Sequence, residues 1–279
     1  MKLSCLPVSL FSEFANDGLD IAKWATKARE IGFDGFDIST MFIKNQTPTY
    51  LDDTKKKIKD AGIPLVMVTS YPDFTHPDAT QRMREDVYIE RDMAVAAELG
   101  AKYLRVLAGQ AHPEVERERG VAYAIEGLRK AGIAAEKQGI TLVYENHAKP
   151  GAWHYIDFSF PPDIFLEVFN GIKDTSVMVN FDTGNSTAEA AAEGDEVKLL
   201  AKVIDKVQTL HVCDMKQRGV FSPTLVGTGV TPLADIFAFV KKHGFDGWLC
   251  IEEAGNLGME GVQKAHNHVR AVWEKARTV

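Results

Sequence analysis

Cysteine is scarce in this chain of 279 residues, and its three cysteines form no CxxC pair. Cys5, Cys213 and Cys250 each stand singly among apolar residues. An odd, scattered set argues against a disulfide framework and is typical of a protein from a reducing compartment. We therefore expect a cytoplasmic protein in which Cys213 and Cys250 are small filler residues within strands.

Long apolar runs are also missing, and none approaches the roughly 20 residues needed to cross a bilayer. The opening segment MKLSCLPVSLF has only a short apolar run, broken by serines and Pro7, which indicates a first strand rather than a signal peptide. Basic residues are outnumbered, with 32 Lys and Arg against 39 Asp and Glu. An acidic surface repels phosphate backbones and anionic lipid, so we expect neither nucleic acid nor membrane as a partner.

The chain has no linker rich in Pro, Ser or Gly, and no glycine-rich phosphate loop follows its first apolar segment. Instead, short apolar segments alternate with longer amphipathic ones along its whole length. Continuous apolar strands separated by helices indicate a parallel sheet covered on both faces. The eight predicted strands are KLSCLPV from Lys2, FDGFDIS from Phe33, IPLVMVT from Ile63, KYLRVLA from Lys102, ITLVYEN from Ile140, SVMVNFD from Ser176, VQTLHVC from Val207 and GWLCIEE from Gly247.

Several amphipathic segments end in glycine just before the next strand, a position that stops a helix. Eight strand–helix units in one series predict a single domain, residues 1–279, folded as one (β/α)8 TIM barrel of the α/β class. An open doubly wound sheet is the alternative, and it would normally carry the phosphate loop that is missing here. The glycines in question are Gly32, Gly62, Gly100, Gly139 and Gly244.

Polar side chains collect where the last four predicted strands end, at Glu145, Asp182, His211 and Glu252. In an α/β barrel these strand ends meet at one face, where active sites are built. Four successive strands that each contribute a metal donor predict a site for one divalent cation. Three carboxylates and one imidazole suit Mn²⁺ best and also accept Mg²⁺, Co²⁺ or Zn²⁺.

Further polar residues at the same face are candidates for binding a substrate. Arg105 lies on the fourth predicted strand, where a bidentate guanidinium would suit a sugar acid, and His147 follows the fifth. His76 and His112 lie in the loops after the third and fourth strands. By contrast, His266 lies on a late helix and is expected at the surface.

The segment HAKPGAWHYIDFSFPP after the fifth strand is rich in aromatic residues. It is predicted to be a lid that excludes water from the site, or else a packed surface loop or dimer contact. Lys149 and His154 within it are spare candidates for proton transfer.

The motifs at these strand ends resemble the xylose isomerase-like TIM-barrel superfamily, also called the AP endonuclease family 2 group of sugar isomerases and epimerases. The resemblance implies that Glu145, Asp182, His211 and Glu252 are the metal ligands. It also implies that Glu145 and Glu252 form the catalytic acid/base pair. The resembling pieces are GFDGFDIS, LGAKYLRVLAG, VYENH, VNFDTGN, LHVCD and GFDGWLCIEE.

Two positions depart from the pattern of that superfamily. Its nuclease branch needs a histidine three residues after the strand-six aspartate, and the ketose 3-epimerases place a substrate-binding histidine there; this chain has Asn185. Those epimerases also carry an arginine beyond the strand-seven histidine, and Arg218 lies near that position without matching register. We retain Asn185 and Arg218 as substrate-binding candidates, and a zinc AP endonuclease becomes a distant alternative.

The residues and the resemblance together predict a metal-dependent sugar isomerase or epimerase, acting on a small ketose or related polyol through an enediolate. One carboxylate would take a proton from carbon and a second would return one. A lyase of the same fold is the alternative, either an inosose dehydratase or a decarboxylase of a 3-oxo sugar acid such as 3-oxo-isoapionate, whose branch the stretches YPDFTHPD and AGQAHPE resemble. We expect a small sugar or sugar-acid substrate, and family analogy alone suggests a homo-oligomer.

Overall fold

The computed structural model describes residues 1–276 of the chain. Eight parallel strands form its inner layer. They are β1 (Lys2–Leu6), β2 (Phe36–Ser39), β3 (Leu65–Thr69), β4 (Tyr103–Val106), β5 (Thr141–Glu145), β6 (Met178–Asp182), β7 (Val207–Val212) and β10 (Trp248–Glu252), while β8 (Asp214–Met215) and β9 (Pro223–Thr224) pair separately and antiparallel. The parallel strands are hydrogen-bonded in the order β1-β10-β7-β6-β5-β4-β3-β2.

The two ends of this sheet, β1 and β2, meet and close the ring. The amides of Asp34 and Gly35 both donate to the carbonyl of Leu3, at 2.9 and 3.2 Å. At the next residue of β1, Ser4 Oγ donates to Asp37 Oδ2 at 2.6 Å. The predicted (β/α)8 barrel is thereby confirmed. That residues 1–279 form one domain stays a prediction, since the last three residues lie outside the described part.

Helices follow the strands and cover the barrel. The predicted glycine stops are confirmed at Gly32, Gly62, Gly100 and Gly139, which cap helices with φ between +68° and +103°. Within residues 1–276 the α-helices are α1 (Phe11–Ala15), α2 (Ile21–Ile31), α3 (Pro48–Ala61), α4 (Ala79–Leu99), α5 (Arg117–Gln138), α6 (Pro162–Ile172), α7 (Thr183–Glu189), α8 (Asp195–Ala201), α9 (Leu233–Lys242) and α10 (Gly258–Lys275). None of these described helices combines the length and apolarity needed to cross a membrane.

A small apolar cluster that includes Met67, Tyr103, Val143 and Cys250 plugs the barrel interior. Alternate residues of a strand face the same side, so the residues two positions further along face the interior as well. On β4, β5 and β10 those residues are Arg105, Glu145 and Glu252. The apolar cluster therefore fills the barrel directly below the polar strand ends. Cys250 belongs to this cluster and is a small filler residue, as predicted.

The surface position expected for His266 is wrong. This side chain is only 6% exposed, and its Nε2 lies 3.2 Å from the carbonyl oxygen of Gly32. Its ring packs edge-on against Phe33. The glycine that ends α2 leaves its last carbonyls without helical partners. Arg270 Nη2 donates to the Gly32 carbonyl at 2.9 Å, and Arg270 Nε donates to His266 Nε2 at 2.9 Å, so the buried histidine positions the arginine that caps α2.

Candidate metal centre

The four predicted ligands converge at the carboxyl ends of β5, β6, β7 and β10. Asp182 on β6 is paired in register with His211 on β7, and Glu252 ends β10 beside them. One donor atom from each of Glu145, Asp182, His211 and Glu252 lies within 4.8 Å of the corresponding atom of every other. The barrel register thus brings together donors that are up to 107 positions apart in sequence.

Glu145 is the most constrained of the four. Its Oε1 lies 2.6 Å from His211 Nδ1 and accepts a hydrogen bond of 2.9 Å from Asn180 Nδ2. Its Oε2 lies 3.0 Å from Arg105 Nε in an ion pair that lacks the alignment of a hydrogen bond. Burial alone would raise the pKa of Glu145, but His211 and Arg105 lower it to about 2. Glu145 is therefore a carboxylate at neutral pH.

The nearby carboxylates also shift the pKa values of the neighbouring residues Asp182 and His211. Burial and the charges of Glu145 and Glu252 raise the pKa of Asp182 well above its usual range. Burial alone would lower the pKa of His211, but the carboxylates of Glu145 and Glu252 raise it to about 9. Three carboxyl groups thus share the positive charge of Arg105 and one imidazole, and the raised pKa of Asp182 shows that ionising all three is costly unless a further cation is bound.

The donor atoms also fit a cation chemically. Within residues 1–276, three of them are buried without a hydrogen-bond partner, namely Glu145 Oε2, Asp182 Oδ2 and His211 Nε2. Buried polar atoms are rarely left without a partner, because each one costs roughly 1–3 kcal/mol. A divalent metal held by Glu145, Asp182, His211 and Glu252 would compensate this cost, and three oxygens with one nitrogen are ligands that Mn²⁺, Mg²⁺, Co²⁺ and Zn²⁺ all accept.

A pocket of about 420 Å³ opens above this cluster. Its polar wall includes the predicted substrate-binding residues Arg105, His147 and Asn185, together with the ligand Glu252. Ala152, in the predicted lid segment, contributes to its apolar wall. The other apolar side chains were not predicted, because they come from loops and from elements too short to show a periodic pattern: Val8, Phe11, Met41, Met215, Phe221 and Ala254.

His147 and Arg105 are both nearly sealed from solvent at the base of the pocket. Burial lowers the pKa of His147 to about 4, so this imidazole is neutral at pH 7, and its Nδ1 has no partner among the described residues. Arg105 is held by the carbonyl oxygen of Ser70, at 3.1 Å from Nη1, and stacks on the ring of Tyr71. A rigid cation and a neutral imidazole can orient the oxygens of a small polar ligand.

Cys213 contributes more than strand filling. It lines the pocket, and its Sγ lies 3.3 Å from Glu252 Oε2 and 3.3 Å from the carbonyl oxygen of the same residue. Burial raises the pKa of this thiol well above its usual value, so it remains protonated and can donate to Glu252. The sequence carried no signal for this contact, since only the barrel register places β7 beside β10.

Arg218 does not reach the pocket. Its Nε and Nη2 lie 3.2 and 3.0 Å from Glu196 Oε1, and that glutamate is fully buried. The backbone amide of Gly219 donates to the carbonyl of Thr187 beside this pair. Arg218 therefore attaches the segment between β8 and β9 to α7 and α8, and its predicted role in substrate binding receives no support from its position.

His76 and His112 also lie outside the pocket wall, in a cluster around Asp73. His112 Nε2 and Gln110 Nε2 both lie within 2.9 Å of Asp73 Oδ2, while the amide of Gln110 donates to Oδ1. His76 Nδ1 accepts from the amide of Asp78, which leaves the proton of the neutral ring on Nε2. Although three potential donors lie close together, both oxygens of Asp73 and one ring nitrogen of each histidine already make hydrogen bonds, and we interpret the cluster as structural.

The loop between β5 and α6 is held against this cluster. Gln110 Oε1 accepts from the amides of His154 and Tyr155, at 2.8 and 3.1 Å. Lys149, in the same loop, lines the pocket and donates from Nζ to the carbonyl of His154. The loop thus forms one wall of the pocket, and His154 itself lies outside the lining. Its role as a lid stays a prediction.

Residues 25–272 match the family described as xylose isomerase-like TIM barrel, and the chain belongs to that family. Over 241 residues it is 28% identical to the "Putative hydroxypyruvate isomerase" of Streptomyces coelicolor, which covers 81% of this chain and 82% of that protein. It is 23% identical to an inosose dehydratase of Bacillus licheniformis over 145 residues, 46% of this chain and 44% of that one.

Two solved structures show the same fold. The zinc-bound IolI protein superposes with a TM-score of 0.82 at 16% identity and covers 100% of both chains. The 3-keto-D-glucoside 4-epimerase of E. coli superposes with a TM-score of 0.77 at 17% identity, covering 97% of this chain and 99% of its own. At these identities the likeness concerns the fold alone.

Proposed function

We propose that this protein is a divalent-metal-dependent isomerase or epimerase of a small ketose or related polyol, including sugar acids. The observation that carries the proposal is the convergence of Glu145, Asp182, His211 and Glu252 at the base of a pocket, with buried donor atoms that lack partners. The similarity to a protein named as a hydroxypyruvate isomerase, which spans four-fifths of the chain, supports the same class of reaction.

The reaction requires removal of a poorly acidic proton from a carbon beside a carbonyl. A divalent metal, when bound, would stabilise negative charge on the substrate oxygens as a Lewis acid. Arg105 and His147 would orient oxygens of the substrate, and the pairing of Arg105 with Glu145 limits how far either side chain can shift. Glu145 and Glu252 remain the candidates for proton transfer, as the resemblance implies.

The pocket supports a non-macromolecular substrate. Its volume of about 420 Å³ accommodates a small sugar or sugar acid. Lys149 and Arg105 are the cationic side chains of its wall, and they would suit a substrate that carries one carboxylate. Mn²⁺ is our first choice of cofactor from the donor set, with Zn²⁺ next because the related IolI structure holds zinc.

A lyase of the same fold is the second candidate. The specific observation in its favour is the partial sequence similarity to inosose dehydratases, such as that of Bacillus licheniformis. Dehydration of an inosose would begin with the same proton removal and continue with loss of a hydroxyl group. Release of water or carbon dioxide from oxo compounds would separate this candidate from an isomerase.

The first test is metal content per chain, measured by elemental analysis on protein purified without chelator. We expect about one Mn, Co, Mg or Zn per chain and a loss of most of it in a Glu145→Ala variant. An Asp73→Ala variant is the matched control, because it removes a buried carboxylate from the second cluster and is expected to retain the metal. Absence of metal after reloading with Mn²⁺ would remove the basis of the proposal.

A further inference from the structure

The two glutamates of the metal centre differ in what their oxygens already bind. Glu145 is fully buried and is not part of the pocket wall. Asn180 Nδ2 donates to its Oε1, and Arg105 Nε faces its Oε2 at 3.0 Å. Asn180 is itself fixed, because Thr209 Oγ1 donates to Asn180 Oδ1 at 2.7 Å and so determines which end of the amide faces Glu145. Oε1 of Glu145 is therefore held by a hydrogen bond, and Oε2 lies against a buried cation without a hydrogen bond, so neither oxygen faces the pocket.

Glu252, in contrast to Glu145, is exposed to the pocket. Its side chain is 15% exposed and forms part of the pocket wall. Its Oε2 lies 3.3 Å from the thiol of Cys213, which is a weak donor, and 3.8 Å from His211 Nδ1. Its Oε1 makes no hydrogen bond within residues 1–276, so that oxygen is available to a molecule in the pocket.

We propose that the two glutamates have separate tasks: Glu145 is an anchored ligand only, and Glu252 is the single carboxylate that exchanges a proton with the substrate, through Oε1. This inference rests on the proposed function and narrows it. It departs from an acid/base pair in which both glutamates contact the reacting carbon.

A single carboxylate restricts the chemistry to one face of the substrate. Glu252 Oε1 takes the proton from the carbon that bears a hydroxyl, and the C–H electron pair becomes the double bond of an enediolate. The same oxygen returns the proton to the neighbouring carbon, while the hydroxyl proton moves between the two substrate oxygens. The sum is an aldose–ketose type of isomerisation with no net change in protons or electrons. Inversion of one carbon would need a second group on the opposite face.

Differential labelling of carboxylates tests the separate tasks of Glu145 and Glu252 without a known substrate. The full chain, as purified and after chelator treatment, is reacted with a water-soluble carbodiimide and a small amine, and the labelled peptides are quantified by mass spectrometry. Exposed Glu118 and fully buried Glu253 are the internal references for fast and slow labelling. We expect Glu252 to label at least ten times faster than Glu145, with Glu145 as slow as Glu253. Equal labelling of Glu145 and Glu252 would overturn the inference.

A second measurement follows the products. The metal-loaded protein is incubated in D₂O with hydroxypyruvate and with ketopentoses and ketohexoses, and the products are read by NMR. Deuterium uptake on one face of the carbon beside the carbonyl, without inversion, is expected; a product inverted at a deuterated carbon contradicts the single carboxylate. Where no compound reacts, the labelling ratio decides alone. A protein that binds metal but labels both glutamates refutes only this inference, whereas failure to bind metal refutes the proposed function.

Discussion

Asn180 shows how a residue without contact to a substrate can control the metal centre. It lies opposite Glu145 in the β5–β6 register and opposite Thr209 in the β6–β7 register, so three neighbouring strands form one hydrogen-bonded row. All three side chains are fully buried. Partners of this kind hold a ligand in the orientation that a metal needs, and their loss weakens metal binding.

Replacing Asn180 with Leu should weaken metal binding by roughly 10–100-fold, because Glu145 loses its donor while the branched shape of the side chain is kept. The dissociation constant is measured by metal titration, and the visible spectrum of the Co²⁺-loaded protein reports a change in ligand geometry. Ser4→Ala is the matched control, since Ser4 is equally buried but bonds Asp37. An unchanged affinity and spectrum in Asn180→Leu would show that Glu145 does not depend on this row.

Asp157 should make stability depend on pH. Burial raises its pKa from 3.8 to about 8. The folded chain therefore keeps this proton between those values while the unfolded chain releases it. The stability that Asp157 contributes is complete below about pH 4 and is lost as the pH rises towards 8, by at most about 1.4 kcal/mol per pH unit.

An Asp157→Asn variant, which keeps the acceptor for the Ser159 amide and hydroxyl, should abolish that loss. Denaturant unfolding from pH 4 to pH 8 measures the free energy of unfolding. We expect this free energy to rise for the variant relative to the natural chain as the pH rises. Asp60→Asn, at an exposed position, is the control and should follow the natural chain. Parallel curves for Asp157→Asn and the natural chain would mean that Asp157 ionises in the folded state as it does in the unfolded one.

At the scale of single elements, the loop between β5 and α6 depends on one glutamine. The side chain of Gln110 joins Asp73 on one side to the amides of His154 and Tyr155 on the other. A Gln110→Ala variant should therefore exchange the amide hydrogens of His154 and Tyr155 about tenfold faster, since the loss of roughly 1.4 kcal/mol of local stability corresponds to one factor of ten.

Hydrogen exchange read by mass spectrometry measures that effect in the peptide that spans the loop. Gln138→Ala is the control, because the Gln138 amide makes a single 3.5 Å contact with the carbonyl of Glu90. Unchanged protection of the loop in Gln110→Ala would mean that backbone contacts, such as Phe158 to Gly109, are sufficient to hold it.

The elements also show what the sequence could predict. The strands ending at Glu145 and Asp182 were predictable, because apolar runs and glycine stops reflect local physics. The loops were not: the pairing of Arg218 with Glu196 and the roles of Asp73 and Gln110 depend on which segments meet in space. No periodic pattern marks such contacts, and the resemblance of the loop stretches YPDFTHPD and AGQAHPE to a decarboxylase branch did not indicate which residues they contact.

At the scale of the whole molecule, the metal centre spans half of the barrel circumference, from β5 through β6 and β7 to β10. A cation bound there would connect four strands and relieve the repulsion among Glu145, Asp182 and Glu252. The sequence predicted this convergence once the barrel was assumed, since strand ends meet at one face. The distances and the burial that make the donors costly without a metal needed the folded chain.

Metal removal should therefore destabilise the whole chain. A ligand at 100 times its dissociation constant stabilises the folded state by about 2.7 kcal/mol. For a chain of this size each kcal/mol corresponds to roughly 2–4 °C, so calorimetry should show Tm about 5–10 °C lower after chelation and restored by Mn²⁺. The Glu145→Ala variant should show no response to either treatment, and Asp73→Ala should respond as the natural chain does. If chelation left the Tm of the natural chain unchanged although metal had been present and was removed, the four strand ends would be stable without the cation, and the partnerless donors would need another explanation.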